Sequence, residues 1–282
     1  MLSVYLDTNV WNFLAGQKHS GCEDKRPSWE MLRRLRRTRK MRIVSSPEVL
    51  QEIINASHRR IDRSRLLYKA WKEFVGTRLL REHADLIASE ALAALKNRRF
   101  SPWASESILR KLRTFEPGDQ DLREISDQSF QQRQSTVELL REIDEDLKSR
   151  VRKGAYVHKA PRVEIPRNTY ALLRTMIPDI VRRRYKPIRP AQTERILRRV
   201  RAAYAFIAFL VASTAYRNLR GKRSQRGDFE DARHFSYGVY VDRIVTADSG
   251  FVQTSGLIPN SRVTMMLLED FCEFALRRSR SP

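Results

Sequence analysis

The sequence predicts an α/β fold with a central parallel sheet, and three observations support this class. Strand-like and helix-like segments alternate over residues 1–56 and again over 200–282, a pattern typical of a parallel sheet covered by helices. The residues between these two parts favour helices and carry almost no strand signal. Of the 282 residues, 41% are hydrophobic, which is enough to build a core. We therefore expect one α/β domain, residues 1–56 plus 200–282, that carries a large all-helical insertion, residues 57–199.

The N-terminal part is predicted to run strand, helix, helix, strand, helix. Residues 3–7 form a short apolar run that ends in an acid, and residues 8–16 begin with capping residues and continue with helical apolar spacing. A second helix starts at Ser28, and a second strand covers 41–45. Pro47 opens a third helix at a position where its missing N–H does no harm. Two strands separated by helices in this way are expected to be parallel.

The central segment is predicted to be helical. Apolar residues recur at helical spacing through 57–150, whereas 151–167 is a basic stretch punctuated by glycine and proline and is predicted to be a loop. Helices are expected to resume at 168–185 and 190–219, and a second basic loop is expected at 220–226.

The last part of the chain returns to alternating elements. Its pattern predicts a helix over 228–241, a strand over 243–246, a helix starting at Ser249, a strand over 262–265 and a terminal helix over 267–276.

The charge of the chain limits the classes of partner that we expect it to bind. It holds 55 Lys and Arg against 33 Asp and Glu, a formal net charge of +22, and Arg outnumbers Lys severalfold. Guanidinium groups bind phosphate well, so nucleic acid is the expected partner. An anionic membrane surface and an acidic protein are the weaker alternatives. A high-GC genome explains Arg over Lys but not the excess of bases over acids.

Two further features bear on location. The longest apolar stretch, 202–216, is shorter than the roughly 20 residues that span a bilayer, so it predicts a buried core helix. Cys22 and Cys272 have no metal-ligand spacing, and we expect neither a disulfide framework nor a cysteine zinc site. No N-terminal signal peptide is recognisable. A cytoplasmic protein is the simplest expectation.

Acidic residues lie where predicted strands end or adjoining helices begin. Each alone is explained as a helix N-cap or as a partner of the helix dipole. However, the carboxyl ends of parallel strands meet at one sheet edge, and several carboxylates there would repel one another without a cation. Hard divalent ions take such oxygen ligands, which predicts a Mg²⁺ or Mn²⁺ site. The acids concerned are Asp7, Glu48, Glu52, Asp228, Asp231 and Asp248.

Four motifs resemble those of the PIN-domain nucleases and occur in that family's order. They are Tyr5-Leu-Asp7-Thr-Asn9, Ser46-Pro-Glu-Val-Leu-Gln-Glu52, Asp231-Ala-Arg-His234 and Ile244-Val-Thr246-Ala-Asp248. The resemblance covers 1–56 and about 200–282, close to a whole domain of that family, and it implies a three-layer αβα domain. The residues between depart from the family pattern.

The resemblance implies catalytic, metal-ligating roles for four acids, Asp7, Glu52, Asp231 and Asp248. It also implies that Asn9 orients the first acid and that Thr246 lines the site. Glu48, one helical turn before Glu52, is the alternative to it. Asp228 is either an auxiliary ligand or the helix cap. His234 either reaches phosphate or substrate, or lies in the core behind the ligands.

The activity implied is that of a metal-dependent endoribonuclease that uses one or two divalent ions and leaves 5′-phosphate and 3′-hydroxyl ends. RNA, with tRNA as a candidate, is the expected substrate. Many members of the family are toxins of toxin–antitoxin modules or defence effectors, and the positive charge would suit an acidic inhibitory partner protein. Two alternatives stay open: a structure-selective DNA nuclease, and a non-catalytic nucleic-acid-binding protein.

Overall fold

The computed structural model describes residues 1–16, 25–55, 61–75, 78–116, 118, 120–121, 161–185, 187–219 and 226–280. These ranges hold four strands and twelve helices. Cys22, the helical pattern predicted within 122–150, the first part of the predicted loop at 151–160 and the basic segment 220–225 lie outside the described residues.

Four parallel strands form one sheet in the order β2-β1-β3-β4. The α/β class and the parallel sheet predicted from the sequence are thereby confirmed. Val4 in the centre pairs with Ile43 on one side and with Arg243 on the other. The strands are β1 (Leu2–Leu6), β2 (Met41–Val44), β3 (Arg243–Thr246) and β4 (Met265–Leu267).

The position of β4 differs from the predicted 262–265. The strand begins three residues later because β3 sets the pairing: Ile244 donates its N–H to the carbonyl of Thr264 at 2.9 Å and is in register with Met265. The residues before Thr264 therefore have no strand neighbour in β3, although their sequence is strand-like.

Three helices accompany the first two strands, as predicted: α1 (Thr8–Leu14), α2 (Trp29–Arg37) and α3 (Pro47–Asn55). Ser28 caps α2, and its hydroxyl accepts the N–H of Met31 at 3.1 Å. Leu32 and Leu35 on α2 are fully buried, whereas most of its arginines face outward. The helix is thus amphipathic, with its apolar stripe against the core.

Five helices occupy the described part of 57–199. They are α4 (Ile61–Val75), α5 (His83–Leu95), α6 (Glu106–Thr114), α7 (Pro161–Arg184) and α8 (Pro190–Leu197). Leu67, Leu86 and Leu173 in these helices are fully buried in the same hydrophobic cluster as Val4 of the sheet. The helices therefore share a core with the sheet, and the proposed boundary of an insertion stays a prediction.

The loop predicted for 151–167 is wrong over 161–167, where α7 has already begun. Pro161 occupies the first position of the helix, where an N–H is not needed. Ile165, Thr169 and Leu173, spaced four residues apart, are fully buried along one face. This burial stabilises the helix across Pro166 and outweighs the local proline signal.

Four helices complete the described chain: α9 (Arg201–Leu219), α10 (Arg226–Tyr237), α11 (Ser249–Ser255) and α12 (Leu268–Arg280). The helix predicted for 228–241 ends as α10 at Tyr237, and a 3-10 turn, Gly238–Tyr240, follows it. Ala202 and Val211 on α9 are fully buried, in accord with the predicted core helix. Among the described helices, none has both the length and the apolar character required to cross a membrane.

The single helix predicted for 190–219 is in fact two, α8 and α9. The break has a tertiary cause, because the carboxylate of Glu90 on α5 accepts the backbone N–H groups of Arg201 at 2.9 Å and Ala202 at 3.0 Å. These are free donors of a helix N-terminus. The cap fixes the start of α9 and leaves a short turn before it.

Both faces of the sheet are covered. Successive strand residues point to opposite faces, and Val4, Tyr5 and Leu6 are all fully buried. On one side α2 and α12 contact each other and pack against β2 and against β3 and β4. Tyr5 points to the other side, where its hydroxyl meets His234 of α10. This arrangement brings α3 and α10 to the carboxyl ends of β1 and β3.

Candidate metal centre

Asp7 lies at the carboxyl end of the central strand and is almost fully buried. Its Oδ1 accepts the N–H of Thr8 at 2.7 Å, so Asp7 also caps α1. Its Oδ2 accepts a hydrogen bond from Thr246 Oγ1 at 2.8 Å, and Asn9 Nδ2 lies 3.4 Å from the same oxygen. Asn9 and Thr246, both expected near this acid, thus hold its carboxylate in place.

Glu52 and His234 approach Asp7 from two different helices. One ligand atom from each of these three residues lies within 4.8 Å of the other two. His234 Nε2 is 3.0 Å from Glu52 Oε1, and the hydroxyl of Thr8 donates to Glu52 Oε2. Glu52 of α3 therefore contacts both Thr8 of the first motif and His234 of α10.

The surroundings of His234 favour its protonated form. Nδ1 lies 2.7 Å from the Tyr5 hydroxyl, and Nε2 faces the Glu52 carboxylate. Burial alone would lower the pKa of His234, but the carboxylates of Glu52 and Asp7 raise this pKa to about 10. The histidine therefore brings a positive charge among the acids Asp7, Glu52, Asp231 and Asp248, which we call the acidic group. His234 is fully enclosed in the interior rather than exposed to a substrate.

Asp231 lies on α10, three residues before His234. Burial, together with the carboxylates of Asp7 and Asp248, raises the pKa of Asp231 to about 8. Burial is the first cause of this rise, and repulsion by the like charges adds to it. The structure thus brings Asp231 into the electrostatic reach of the other predicted acids. Asp231 is not one of the three residues whose ligand atoms lie within 4.8 Å of one another.

Asp248 follows β3 and is exposed. It caps α11, because its Oδ1 accepts the N–H groups of Gly250 at 2.7 Å and Phe251 at 3.2 Å. Its own N–H donates to Thr246 Oγ1 at 3.0 Å, and that hydroxyl in turn donates to Asp7. Thr246 therefore links the acids that end β1 and β3.

The two auxiliary acids, Glu48 and Asp228, are both buried and bound to structural partners. Glu48 accepts the N–H of His83 at 2.8 Å and the hydroxyl of Tyr237 at 2.5 Å. Asp228 forms a bidentate ion pair with Arg217, at 2.5 and 2.6 Å. Glu48 therefore joins the His83 and Tyr237 contacts rather than the Asp7 group, and Asp228, in the first turn of α10, pairs with Arg217 of α9.

Two residues of the site were not singled out by the sequence reading: Tyr5 and Thr8. The Tyr5 hydroxyl bridges His234 and Ser46, at 2.7 and 2.8 Å, and Thr8 binds both Asp7 and Glu52. Both lie within the first motif, and Tyr5 precedes Asp7 by two residues, which places them on one face of the strand. The spacing of two residues between Tyr5 and Asp7 is the sequence feature that indicates their shared face.

The donor set suits a hard divalent cation. Asp7, Glu52, Asp231 and Asp248 offer carboxylate oxygens, which Mg²⁺ and Mn²⁺ prefer. One histidine cannot balance four carboxylates, and repulsion by Asp7 and Asp248 adds to the effect of burial in raising the pKa of Asp231. Each carboxylate oxygen has two lone pairs, so an oxygen that accepts one hydrogen bond is still able to coordinate a metal ion. The residues present therefore fit Mg²⁺ or Mn²⁺.

Comparison of the chain with protein-family models, with curated proteins and with solved structures finds no match in any of the three. The resemblance to PIN-domain nucleases thus rests on the four motifs quoted above.

Proposed function

We propose that the chain is a PIN-like, metal-dependent endoribonuclease that hydrolyses RNA phosphodiesters. The observation that carries the proposal is the convergence of Asp7, Glu52 and His234, whose ligand atoms lie within 4.8 Å of one another. They meet at the carboxyl edge of a parallel sheet, where α/β proteins bind their ligands. The acids of this edge belong to four motifs that follow the order of the PIN family.

Four carboxylates are assigned as ligands of Mg²⁺ or Mn²⁺. A bound divalent cation lowers the pKa of a water molecule and stabilises the charge that develops on phosphate oxygens. The protein holds the acids that would bind it: Thr246 and Asn9 restrain the first carboxylate, and the Thr8 hydroxyl restrains the second. The four acids are Asp7, Glu52, Asp231 and Asp248.

His234 is assigned a positioning role. In its protonated form it donates from Nε2 to Glu52 and from Nδ1 to the Tyr5 hydroxyl, which fixes the orientation of the Glu52 carboxylate. Partners of this kind behind a ligand commonly matter for both affinity and activity. The same positive charge offsets part of the negative charge of Asp7.

The net charge of +22 supports a polyanionic substrate, and binding should weaken steeply with salt. We assign substrate or partner contacts to the helical segment 57–199, with tRNA as a candidate target. A cytoplasmic toxin or defence effector, restrained by an acidic inhibitory protein, is the biological setting that the resemblance suggests.

The test is cleavage of labelled RNA and DNA by the purified protein, in Mn²⁺ and in EDTA. Internal cleavage of RNA in Mn²⁺ and its loss in EDTA are expected, together with loss of cleavage in the Asp7→Asn, Asp248→Asn double variant. Cleavage of DNA alone would favour a structure-selective DNA nuclease. Binding of RNA with no cleavage in any divalent cation would favour a non-catalytic binding protein.

A further inference from the structure

A cavity of about 770 Å³ lies at the end of the sheet opposite the acidic group. Its wall includes Val239 and Tyr240, which precede β3, and Val263, which precedes β4. Asp7 and Asp248, in contrast, follow β1 and β3. The four residues of β3 correspond to about 13 Å of extended chain between the two edges. The cavity is therefore separate from the candidate metal centre.

The wall of this cavity is rich in arginine. All six of its arginine side chains are exposed, and none forms an ion pair within the described part of the chain. Guanidinium groups without carboxylate partners suit phosphate, which they bind through paired hydrogen bonds. The six are Arg98, Arg99, Arg198, Arg199, Arg201 and Arg262.

Among the described residues that line the cavity, Glu90 is the one carboxylate, and it is 4% exposed. Its oxygens accept the N–H groups of Arg201 and Ala202 and the hydroxyl of Tyr240, which lies 2.6 Å away. The carboxylate is thus engaged with the start of α9. It fixes the turn that carries Arg198 and Arg199.

Aromatic side chains lie among these arginines in two pairs. The rings of Tyr170 and Tyr204 are 5.3 Å apart, and those of Phe100 and Tyr240 are 5.8 Å apart. Tyr170 is 40% exposed, so a large part of its ring is open to a ligand. Aromatic rings beside a positively charged groove are how many proteins bind single-stranded nucleic acid, because every base has a face that stacks.

We propose that this cavity binds a single-stranded RNA segment, with the arginines on its phosphates and the exposed tyrosine against a base. Its volume is within the roughly 300–1,000 Å³ of ligand pockets. Bases inside a duplex are already stacked and are not presented to a side chain, which favours a single strand. The choice of RNA over DNA rests on the proposed function.

The position of the cavity separates binding from cleavage. Phe235 of α10 lines it, whereas the adjacent His234 faces the acidic group. A strand held here has its scissile bond elsewhere, at the opposite edge of the sheet. Affinity for RNA should therefore persist in EDTA and in Asp7→Asn.

The first test measures the affinity of the full chain for a short fluorescent single-stranded RNA by anisotropy in EDTA. Arg98→Ala with Arg262→Ala should weaken binding about tenfold or more, and should lower the slope of log K against log salt by about 1.4, since single strands contribute roughly 0.7 for each phosphate contact. The matched control is Arg34→Ala with Arg37→Ala, an exposed pair on α2 that lies outside the cavity wall, removes the same charge and should stay within about twofold.

The second test separates stacking from charge at Tyr170. Tyr170→Phe keeps the ring and should bind like the natural chain, whereas Tyr170→Leu should bind about fivefold to tenfold more weakly. A 4-thiouridine RNA should also crosslink to a peptide that contains Tyr170. Equal affinity of the two variants, or equal losses in the cavity pair and the control pair, would overturn the proposal.

Competition between the fluorescent RNA and unlabelled nucleic acids identifies the kind of ligand that the cavity binds. Unlabelled single-stranded RNA should displace the probe, whereas a duplex of the same length and a mononucleotide should do so poorly. Displacement by the duplex or by the mononucleotide at the same concentration would contradict a single-strand site. Binding that depends on the cavity with no cleavage in any cation would refute only the proposed nuclease, whereas cleavage with unaltered binding by the cavity variants would refute only this site.

Discussion

His234 of α10 and Glu52 of α3, 182 positions apart in the chain, lie with Nε2 and Oε1 3.0 Å from each other. The contact joins the third and second motifs at the edge where Asp7 ends β1. Because the histidine is buried and its other nitrogen faces Tyr5, the pair fixes the carboxylate that we assign to the metal ion.

Replacement of Glu52 by Gln should lower the pKa of His234. Burial alone lowers this pKa, and Glu52 is the largest of the charges that raise it to about 10. In EDTA, the ring signals of His234 in NMR spectra should therefore not titrate between pH 6 and pH 8 in the natural chain. In Glu52→Gln the titration should shift downward by more than about one unit. A natural chain whose His234 titrates near 6.5 would contradict the assignment.

The stability of the metal-free protein should fall as pH rises toward 8. The pKa of Asp231 is raised by burial and by Asp7 from 3.8 to about 8, so between these values the folded state keeps a proton that the unfolded chain has lost. The free energy of unfolding should then decrease by up to about 1.4 kcal/mol for each unit of pH from this group.

A bound cation should remove this loss, because it favours the ionised carboxylate. Mn²⁺ should therefore stabilise the natural chain more at pH 8 than at pH 6, measured by urea unfolding with and without EDTA. Asp231→Asn should show a flatter dependence on pH in EDTA. Equal stabilisation of the natural chain and of Asp7→Asn by Mn²⁺ would show that the ion binds elsewhere.

A matched pair of glycine substitutions tests the packing that leads from α10 into β3. A Cβ at Gly238 would lie 2.7 Å from Ile244 Cδ1 and closer still to Val263 Cγ1. Gly238→Ala should therefore lower the free energy of unfolding by about 1–3 kcal/mol through overpacking. At Gly227, in the first turn of α10, a Cβ meets no atom within 4 Å from outside its own helix turn in the described part of the chain, so Gly227→Ala should leave stability unchanged or slightly higher. Equal urea midpoints for the two variants would refute this packing.

The elements that the sequence located well are those with a local cause. Ser28 caps α2 through its own hydroxyl, and the apolar run that ends at Asp7 forms β1. The elements that were predicted wrongly depend on contacts with residues far away in the chain. Glu90 interrupts the helix predicted for 190–219 from 111 residues away, and burial of Ile165 and its neighbours extends α7 through a stretch with the composition of a loop.

The same distinction applies to the site. Asp7, Asn9 and Thr246 lie at or near strand ends, and their proximity follows from the parallel sheet. Glu48 and Glu52 are one turn apart on α3 and look alike in the sequence. Only tertiary packing separates them, because Glu48 meets Tyr237 and His83, whereas Glu52 meets Thr8 and His234.

This difference between two glutamates of one helix tests whether the acidic group at the carboxyl edge of the sheet is a nuclease centre. The measurement is the rate of RNA cleavage in Mn²⁺ by Glu52→Gln and by Glu48→Gln, each verified as folded. Loss of a ligand should cost at least about 100-fold, since even the partners behind ligands cost roughly 10–100-fold. We predict that loss for Glu52→Gln and a change of only a few fold for Glu48→Gln. An active Glu52→Gln, or an inactive but folded Glu48→Gln, would show that Glu52 is not the ligand that distinguishes this site.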